Sequence, residues 1–264
     1  MTEKRSLYEG DFDVDSNNNK DPDTGERIGN FYGHKTNGEP SDARDENCFQ
    51  SLGRFCCPKI RITQFIVIIT LIELVVFIIT CSVYGLSNSD FLAPDTRGIS
   101  WGWSDVKKIR NEYQIWRFFT PTILHGHLEH IVGNFVGQLF MGTGIEDGLG
   151  VVRMIILYFL GGLGGILFSM DVRPYTHGVG ASTAIFGLVG FYTAYIFSNF
   201  FYMGRKRAGQ RIFLIFYCSI MILLNLNIGP HSDSHVDNWG HLGGLITGIF
   251  VGFALTEWYD FEAR

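Results

Sequence analysis

Charged side chains are scarce in this sequence. Asp, Glu, Lys and Arg make up 18% of its 264 residues, against roughly 25% in an ordinary globular protein. The 21 basic residues do not outnumber the 26 acidic ones, which excludes a basic protein that binds nucleic acid through its phosphates. Five cysteines are too few for a disulfide scaffold of this length. Hydrophobic residues (46%) and glycines (32) are abundant instead, as is typical of packed membrane helices.

The acidic charge is concentrated at the start of the chain. The first 50 residues contain twelve acidic and six basic residues, so the remaining 214 are close to neutral. This segment has little apolar periodicity, and such a segment cannot bury enough surface to offset its chain entropy. We therefore predict a disordered acidic tail, residues 1–54, followed by a membrane domain, residues 55–260.

Six apolar segments follow the tail, each close to the roughly 20 residues that a helix needs to cross a bilayer. They cover residues 62–85, 128–145, 151–170, 181–203, 212–228 and 239–255. The expected fold is an all-α polytopic membrane protein with six transmembrane helices. A long, Trp-rich first loop, residues 86–120, joins the first two. Glu73 is the only charge in the first span and is expected to be a structural carboxylate satisfied by neighbouring hydroxyls.

Lys and Arg residues predict the orientation, because short cytoplasmic loops carry them in excess. They cluster before the first span and between the fourth and fifth, at Arg54, Lys59, Arg61, Arg205, Lys206, Arg207 and Arg211. Both termini are then cytosolic, and the first loop faces the lumen or the exterior. We expect an integral multi-pass membrane protein of the secretory pathway or plasma membrane. Next to the first span, Cys56 and Cys57 fit a palmitoylated pair as well as two unmodified thiols.

In this topology, spans two, four and six all begin at the luminal face. Polar residues lie near each beginning: His130 and Asn134 in span two, Ser182 in span four and His241 in span six. Intramembrane polar residues are expensive, and they indicate function by default. A serine and a histidine at matched depth provide the minimum for a hydroxyl nucleophile activated by a general base.

Glycines surround these polar residues. Ser182 follows Gly178 and Gly180 at the start of its helix, where backbone N–H groups favour a developing oxyanion. Gly244 and Gly248 lie on the same helix face as His241, and small residues at this spacing let two helices approach closely.

The combined motifs resemble those of the rhomboid intramembrane serine proteases, over about residues 55–260. The matching motifs are Trp116-Arg117 in the first loop, His130-x-x-x-Asn134 and Gly142–Glu146 in span two, Gly180-x-Ser182 in span four, and His241-x-x-Gly244-x-x-x-Gly248 in span six.

The resemblance implies a role for each polar group. Ser182 would be the nucleophile and His241 the general base, in a dyad without an aspartate. His130 and Asn134 would donate hydrogen bonds to the oxyanion, together with the backbone N–H of Ser182. The loop at 229–238 resembles the mobile cap over the family's active site.

Other motif residues of the resemblance are structural. Trp116 and Arg117 would stabilise the first loop, which in the family lies partly in the membrane. The sequence departs from many relatives in having Thr183 where they have Gly, and Phe186 where they have Tyr under the base. Neither change removes a reacting group.

These residues predict an intramembrane endopeptidase that needs no cofactor and cleaves single-pass membrane proteins near the luminal ends of their helices. One alternative is a catalytically inactive rhomboid-like protein that binds and routes membrane clients. A transporter is another, although no clear internal repeat supports it. The histidine-dense run at 125–130 and the set at 231–237 suggest zinc by composition alone, but neither has a His-Glu-x-x-His motif or rigid spacing. No metal site is therefore predicted.

Overall fold

The computed structural model describes residues 60–87, 92–199 and 236–256, together with Ile212, Ile215, Phe216 and Ser219. The predicted tail at 1–54, the Cys56–Cys57 pair, most of the fifth predicted span and most of the predicted cap loop lie outside the described residues.

The described chain is built from helices and the turns that connect them. The main helices are α1 (Phe65–Tyr84), α2 (Leu128–Gly137), α3 (Thr143–Leu149), α4 (Val151–Val172), α5 (Ser182–Asn199) and α6 (Asn238–Leu255). The first loop contains short helices at Thr96–Ile99 and Val106–Glu112, and 3₁₀ turns at Ile115–Phe118 and Thr120–Ile123.

Three of the described helices, α1, α4 and α6, are long and apolar enough to cross a membrane. A shorter apolar helix, Ser182–Ser198, accounts for most of α5. The all-helical fold class is therefore confirmed for the described residues, with three helices able to span a membrane. The count of six spans and the luminal side of the first loop stay predictions.

The second predicted span differs from the simple helix expected at 128–145. A π turn, Gln138–Gly142, separates α2 from α3, and the helical path continues to Leu149. It ends at Gly150, whose φ of 79° belongs to the left-handed region that glycine tolerates at helix ends.

Glu146 of α3 caps the start of α1. Its two carboxylate oxygens accept hydrogen bonds from the backbone N–H groups of Phe65 (2.7 Å) and Ile66 (2.9 Å). These N–H groups have no partner within their own helix, and a carboxylate there also complements the helix dipole. An ion pair between Arg61, four residues before α1, and Asp147 of α3 supports this contact. The Gly142–Glu146 motif thus ties α3 to α1.

Helices α4, α5 and α6 pack pairwise against one another. Glycines bring their backbones together: a Cβ on Gly161 would lie 2.9 Å from the Cα of Gly187. A Cβ on Gly248 would overlap the carbonyl group of the same Gly187. Because no side chain can fit at these crossings, α5 lies directly against both neighbours. This packing sets the distance between Ser182 and His241.

Candidate active site

Ser182 and His241 are in direct contact. Ser182 is the first residue of α5, His241 is the fourth residue of α6, and Ser182 Oγ lies 2.7 Å from His241 Nε2. His241 is buried. This is the geometry in which a hydroxyl can donate its proton to a neutral imidazole nitrogen.

Two neighbours hold this contact in place. The ring of Phe186, one turn after Ser182, stacks on the imidazole of His241 with centroids 4.5 Å apart and planes 14° apart. Gly244, one turn after His241, faces the backbone of Thr183, and a Cβ at this position would overlap the Thr183 carbonyl oxygen. The stacked ring orients the base, and the glycine lets the two helices approach.

His130 and Asn134 of α2 lie beside Gly180, two residues before Ser182. A Cβ on Gly180 would lie 2.5 Å from Cε1 and Nε2 of His130, and 3.3 Å from Nδ2 of Asn134. Gly180 also has a φ of 122°, which L side chains rarely adopt. Both its conformation and its surroundings therefore require glycine. The structure brings all four predicted polar residues around the start of α5.

Asn134 is oriented by His125, the first residue of the histidine-dense run at 125–130. The Nε2 atom of His125 lies 2.8 Å from Asn134 Nδ2, and both side chains are buried. Burial lowers the pKa of His125 to about 3, with a further contribution from the neighbouring His130. The neutral ring accepts through Nε2, so one amide hydrogen of Asn134 is used and the second stays available as a donor.

The segment before Ser182 is fastened to the first loop. Gly180 N–H donates to the carbonyl of Pro121 (2.8 Å), and Ser104 exchanges hydrogen bonds with Gly178 at 2.7 and 3.0 Å. The ring of His177 stacks on Trp103 with centroids 4.4 Å apart. These contacts fix the segment that leads into Ser182 against the first loop.

Trp116 and Arg117 lie in the first loop rather than beside the Ser182–His241 pair. The guanidinium of Arg117, whose side chain is buried, donates to the carbonyls of Ser100 (3.0 Å) and Trp103 (2.8 Å). Trp116 is partly exposed, and its indole N–H donates to the carbonyl of Trp101 (3.2 Å). Both side chains thus bond loop carbonyls that have no partner in regular structure.

Asp237, which sequence reasoning considered only as one of a loop set, caps the helix of His241. Its Oδ1 accepts from the backbone N–H of Gly240 (3.0 Å) and from the hydroxyl of Ser169 on α4 (2.8 Å). An Asp three residues before a helical N–H is a sequence signal for an N-cap. That signal predicts the start of α6 but not the bond to α4.

The histidine-dense run forms a set of packed rings. The ring of His130 lies 5.3 Å from that of His125 and 5.4 Å from that of His127, centroid to centroid. Across the described ranges, no group of three or more His, Cys, Asp or Glu residues is arranged to hold a metal ion. His127 instead caps α2, accepting through Nδ1 from the backbone N–H of His130 (3.2 Å).

The apolar helices and their close, glycine-mediated packing define an integral membrane protein of the all-helical class. Residues 112–258 match the family model described as Rhomboid domain. The chain therefore belongs to the rhomboid family, as its motifs predicted.

Named relatives agree with this assignment. The chain is 31% identical over 206 residues to Rhomboid-like protease 3 of Toxoplasma gondii, covering 78% of this chain and 73% of the relative. It is 36% identical over 149 residues to RHOMBOID-like protein 1 of Arabidopsis thaliana, covering 56% of this chain and 36% of that relative. RHOMBOID-like protein 6, mitochondrial, of the same plant is 32% identical over 183 residues, 67% of this chain and 57% of the relative. The chain thus spans about a third of the length of some relatives and three quarters of others.

Proposed function

We propose that this protein is an intramembrane serine endopeptidase in which Ser182 is the nucleophile and His241 the general base. The observation that carries the proposal is the 2.7 Å contact between Ser182 Oγ and His241 Nε2. The stacked ring of Phe186 and the close approach at Gly244 support it, because each restricts the imidazole to one position. The name of the Toxoplasma relative, Rhomboid-like protease 3, agrees with this activity.

The proposed reaction has two halves. Ser182 Oγ attacks the carbonyl carbon of the scissile peptide while His241 Nε2 takes the hydroxyl proton. The C–N bond then breaks as His241 returns that proton to the departing amine, which leaves an acyl ester on Ser182. Water attacks the ester, gives its proton to His241, and releases the acid product as the serine is protonated again.

The negative charge on the carbonyl oxygen needs donors at the start of α5. We assign this role to the second amide hydrogen of Asn134, to the His130 side chain and to the Ser182 N–H. The His130 and Asn134 side chains lie beside Gly180, two residues before Ser182, and the α5 N-terminus favours the developing charge. Because His125 holds Asn134 before substrate binds, little reorganisation is needed during the reaction.

The proposed substrates are single-pass membrane proteins. A helix in lipid hides its carbonyls in its own hydrogen bonds, so a substrate must unwind locally before attack. In the proposed topology of six spans with cytosolic termini, Ser182 and His241 lie just inside the luminal face. The scissile bond then lies near the luminal end of the substrate helix. Secretory-pathway or plasma membranes would provide such substrates.

The activity test uses the purified protein in liposomes with a tagged single-pass substrate. Ser182→Ala and His241→Ala should each abolish cleavage and leave insertion and thermal unfolding unchanged. Ser82→Ala is the matched control, because its hydroxyl bonds only within α1, to the carbonyl of Ile78 (2.7 Å). Full proteolysis by Ser182→Ala would refute the dyad. An inactive wild-type protein that still binds the substrate would favour the client-binding alternative.

The position of the cut tests the topology separately. Sequencing the new termini should place the scissile bond near the luminal end of the substrate helix, with most of the hydrophobic segment left in the membrane stub. A cut near the cytosolic end would contradict the proposed orientation while leaving the dyad intact.

A further inference from the structure

Three fully buried polar side chains from separate elements meet inside the helical bundle. They are Glu73 on α1, Gln138 at the start of the π turn, and Tyr158 on α4, and none of them is exposed to solvent. Gln138 Nε2 donates to Glu73 Oε2 (2.6 Å), and the Tyr158 oxygen lies 2.9 Å from Glu73 Oε1 and 3.0 Å from Gln138 Oε1. We refer to these three residues as the polar ring.

A count of hydrogens shows how the polar ring closes. A tyrosine hydroxyl has one hydrogen and donates once, yet Tyr158 lies within bonding distance of two oxygens, on Glu73 and Gln138. All three contacts are hydrogen bonds when Glu73 carries its acid proton: Glu73 donates to Tyr158, Tyr158 to Gln138, and Gln138 back to Glu73. This arrangement is uncharged and leaves no acceptor in the ring unpaired, which suits a fully buried site.

The polar ring holds a break in the helix that carries Asn134. The π turn inserts one residue into the helical path, which rotates the following segment by about 100° relative to an uninterrupted helix. With this rotation, α2 turns Asn134 toward Gly180 while α3 turns Glu146 toward the start of α1. Gln138 is the first residue of the turn, and its side chain fastens that turn to both α1 and α4.

Asn134 is coupled directly to this anchored position. Gln138 directly follows α2, one helical turn after Asn134, and its backbone N–H bonds the carbonyls of Asn134 and Phe135. We propose that Gln138, held by Glu73 and Tyr158, is a positioning residue that sets the location of the Asn134 amide at the oxyanion site. The inference rests on the proposed function, because it assumes that Asn134 is an oxyanion donor.

The first test removes all the polar atoms of the ring together. In a triple variant, Glu73→Leu, Gln138→Leu and Tyr158→Phe, no polar partner is left unsatisfied, so the protein should fold. We expect kcat on the tagged substrate to fall about 10- to 100-fold, because small misplacements of a catalytic donor are costly. KM and the unfolding temperature should change little. Glu73→Gln is the matched control: it keeps hydrogen-bonding atoms in the ring and should retain activity close to wild type.

The second test asks whether the polar ring acts through Asn134. In an Asn134→Ala background, the triple variant should cause no further loss of kcat, because the group it positions is already absent. A merely structural role would lower kcat by the same factor in both backgrounds, which would overturn the proposal. Wild-type kcat in a folded triple variant would also overturn it.

Tyr158→Phe alone provides the same comparison if the triple variant does not fold. It removes a single oxygen and keeps the ring contact with Phe65, whose centroid is 5.5 Å away. A loss of kcat that disappears in the Asn134→Ala background supports the proposal, and an unchanged kcat contradicts it. If Asn134→Ala itself has no effect while Ser182→Ala abolishes cleavage, the oxyanion role fails. If Ser182→Ala cleaves normally, the proposed function fails first.

Discussion

Replacing Gly244 with Ala tests the close approach of α5 and α6. A Cβ at this position would overlap the carbonyl oxygen of Thr183, and would lie 3.1 Å from the carbonyl carbon and 3.4 Å from the Cβ of Phe186. The obstacle is helix backbone and cannot rotate away. To regain contact distances of about 3.5–4.0 Å from that oxygen, α6 must move away from α5 by more than about 1 Å.

This displacement predicts the size of the effect. The 2.7 Å contact between Ser182 and His241 would lengthen beyond hydrogen-bonding distance. A misplacement of about 1 Å typically costs about 100-fold in rate. The added methyl group overpacks the crossing of α5 and α6, which should also lower the free energy of unfolding by about 1–3 kcal/mol. We therefore expect Gly244→Ala to lose about 100-fold in kcat, with a smaller change in KM.

The assay measures initial cleavage rates in liposomes across a range of substrate concentrations, together with thermal unfolding. Gly133→Ala is the matched control, because a Cβ on Gly133 of α2 meets no atom within 4 Å. The control should keep wild-type activity, and it should be at least as stable because Ala favours helix more than Gly does. Wild-type kcat in Gly244→Ala would refute the argument that backbone contact sets the dyad distance.

Three further predictions concern the oxyanion site and the first loop. Asn134→Ala should cost about 2.7–4 kcal/mol of transition-state stabilisation, about 100- to 1,000-fold in kcat; an unchanged rate would make Asn134 a packing residue. Arg117→Ala should lower the free energy of unfolding by about 1–3 kcal/mol, because it removes the donor of two part-buried loop carbonyls; thermal unfolding measures this. Burial by itself would raise the pKa of Asp105. The hydrogen bond from the Lys108 N–H and the charges of His177 and Arg117 have the larger combined effect, and they hold that pKa below 3.8. Asp105 should therefore stabilise the fold above pH 3.8 and less as the pH falls further, and Asp105→Asn should remove this acid sensitivity in pH-dependent unfolding.

Long apolar segments are predictable from sequence because their boundaries are local. The predicted spans at 151–170 and 239–255 correspond to Val151–Val172 and Asn238–Leu255 in the structure. Gly150 marks the start of the first of these, and the Asp237 cap marks the start of the second. In both cases the composition changes at the point where the helix begins.

The π turn at Gln138–Gly142 could not be predicted in the same way. One polar residue, Gln138, is followed by three apolar residues and a glycine, which is no local signal for a π turn. The turn is held by side chains 65 and 20 positions distant in sequence, those of Glu73 and Tyr158. The bond from His125 to Asn134 is similar, because it depends on how the first loop folds back on α2. The pattern of a single sequence shows which face of a helix is apolar. The π turn and the bond between Asn134 and His125 depend instead on tertiary contacts, so the pattern does not predict them.

The spacing of motifs along the sequence predicted the residues of the candidate site, but it predicted few of the contacts that hold those residues in place. Ser182, His241, His130 and Asn134 were predicted from motifs on different spans, and the structure brings them together. The stacking of Phe186 on His241 follows from its position one turn after Ser182. The tie from Asp237 to Ser169 needed the packing of α4 against α6 and had no sequence signal.

Covalent labelling tests the central claim that His241 activates Ser182. The purified protein is treated in liposomes with a fluorophosphonate, and mass spectrometry locates the modified residue. We expect one adduct, on the peptide containing Ser182, which is lost in Ser182→Ala, strongly reduced in His241→Ala and unchanged in Ser82→Ala. An adduct on another residue, or equal labelling of the Ser182→Ala protein, would contradict the account.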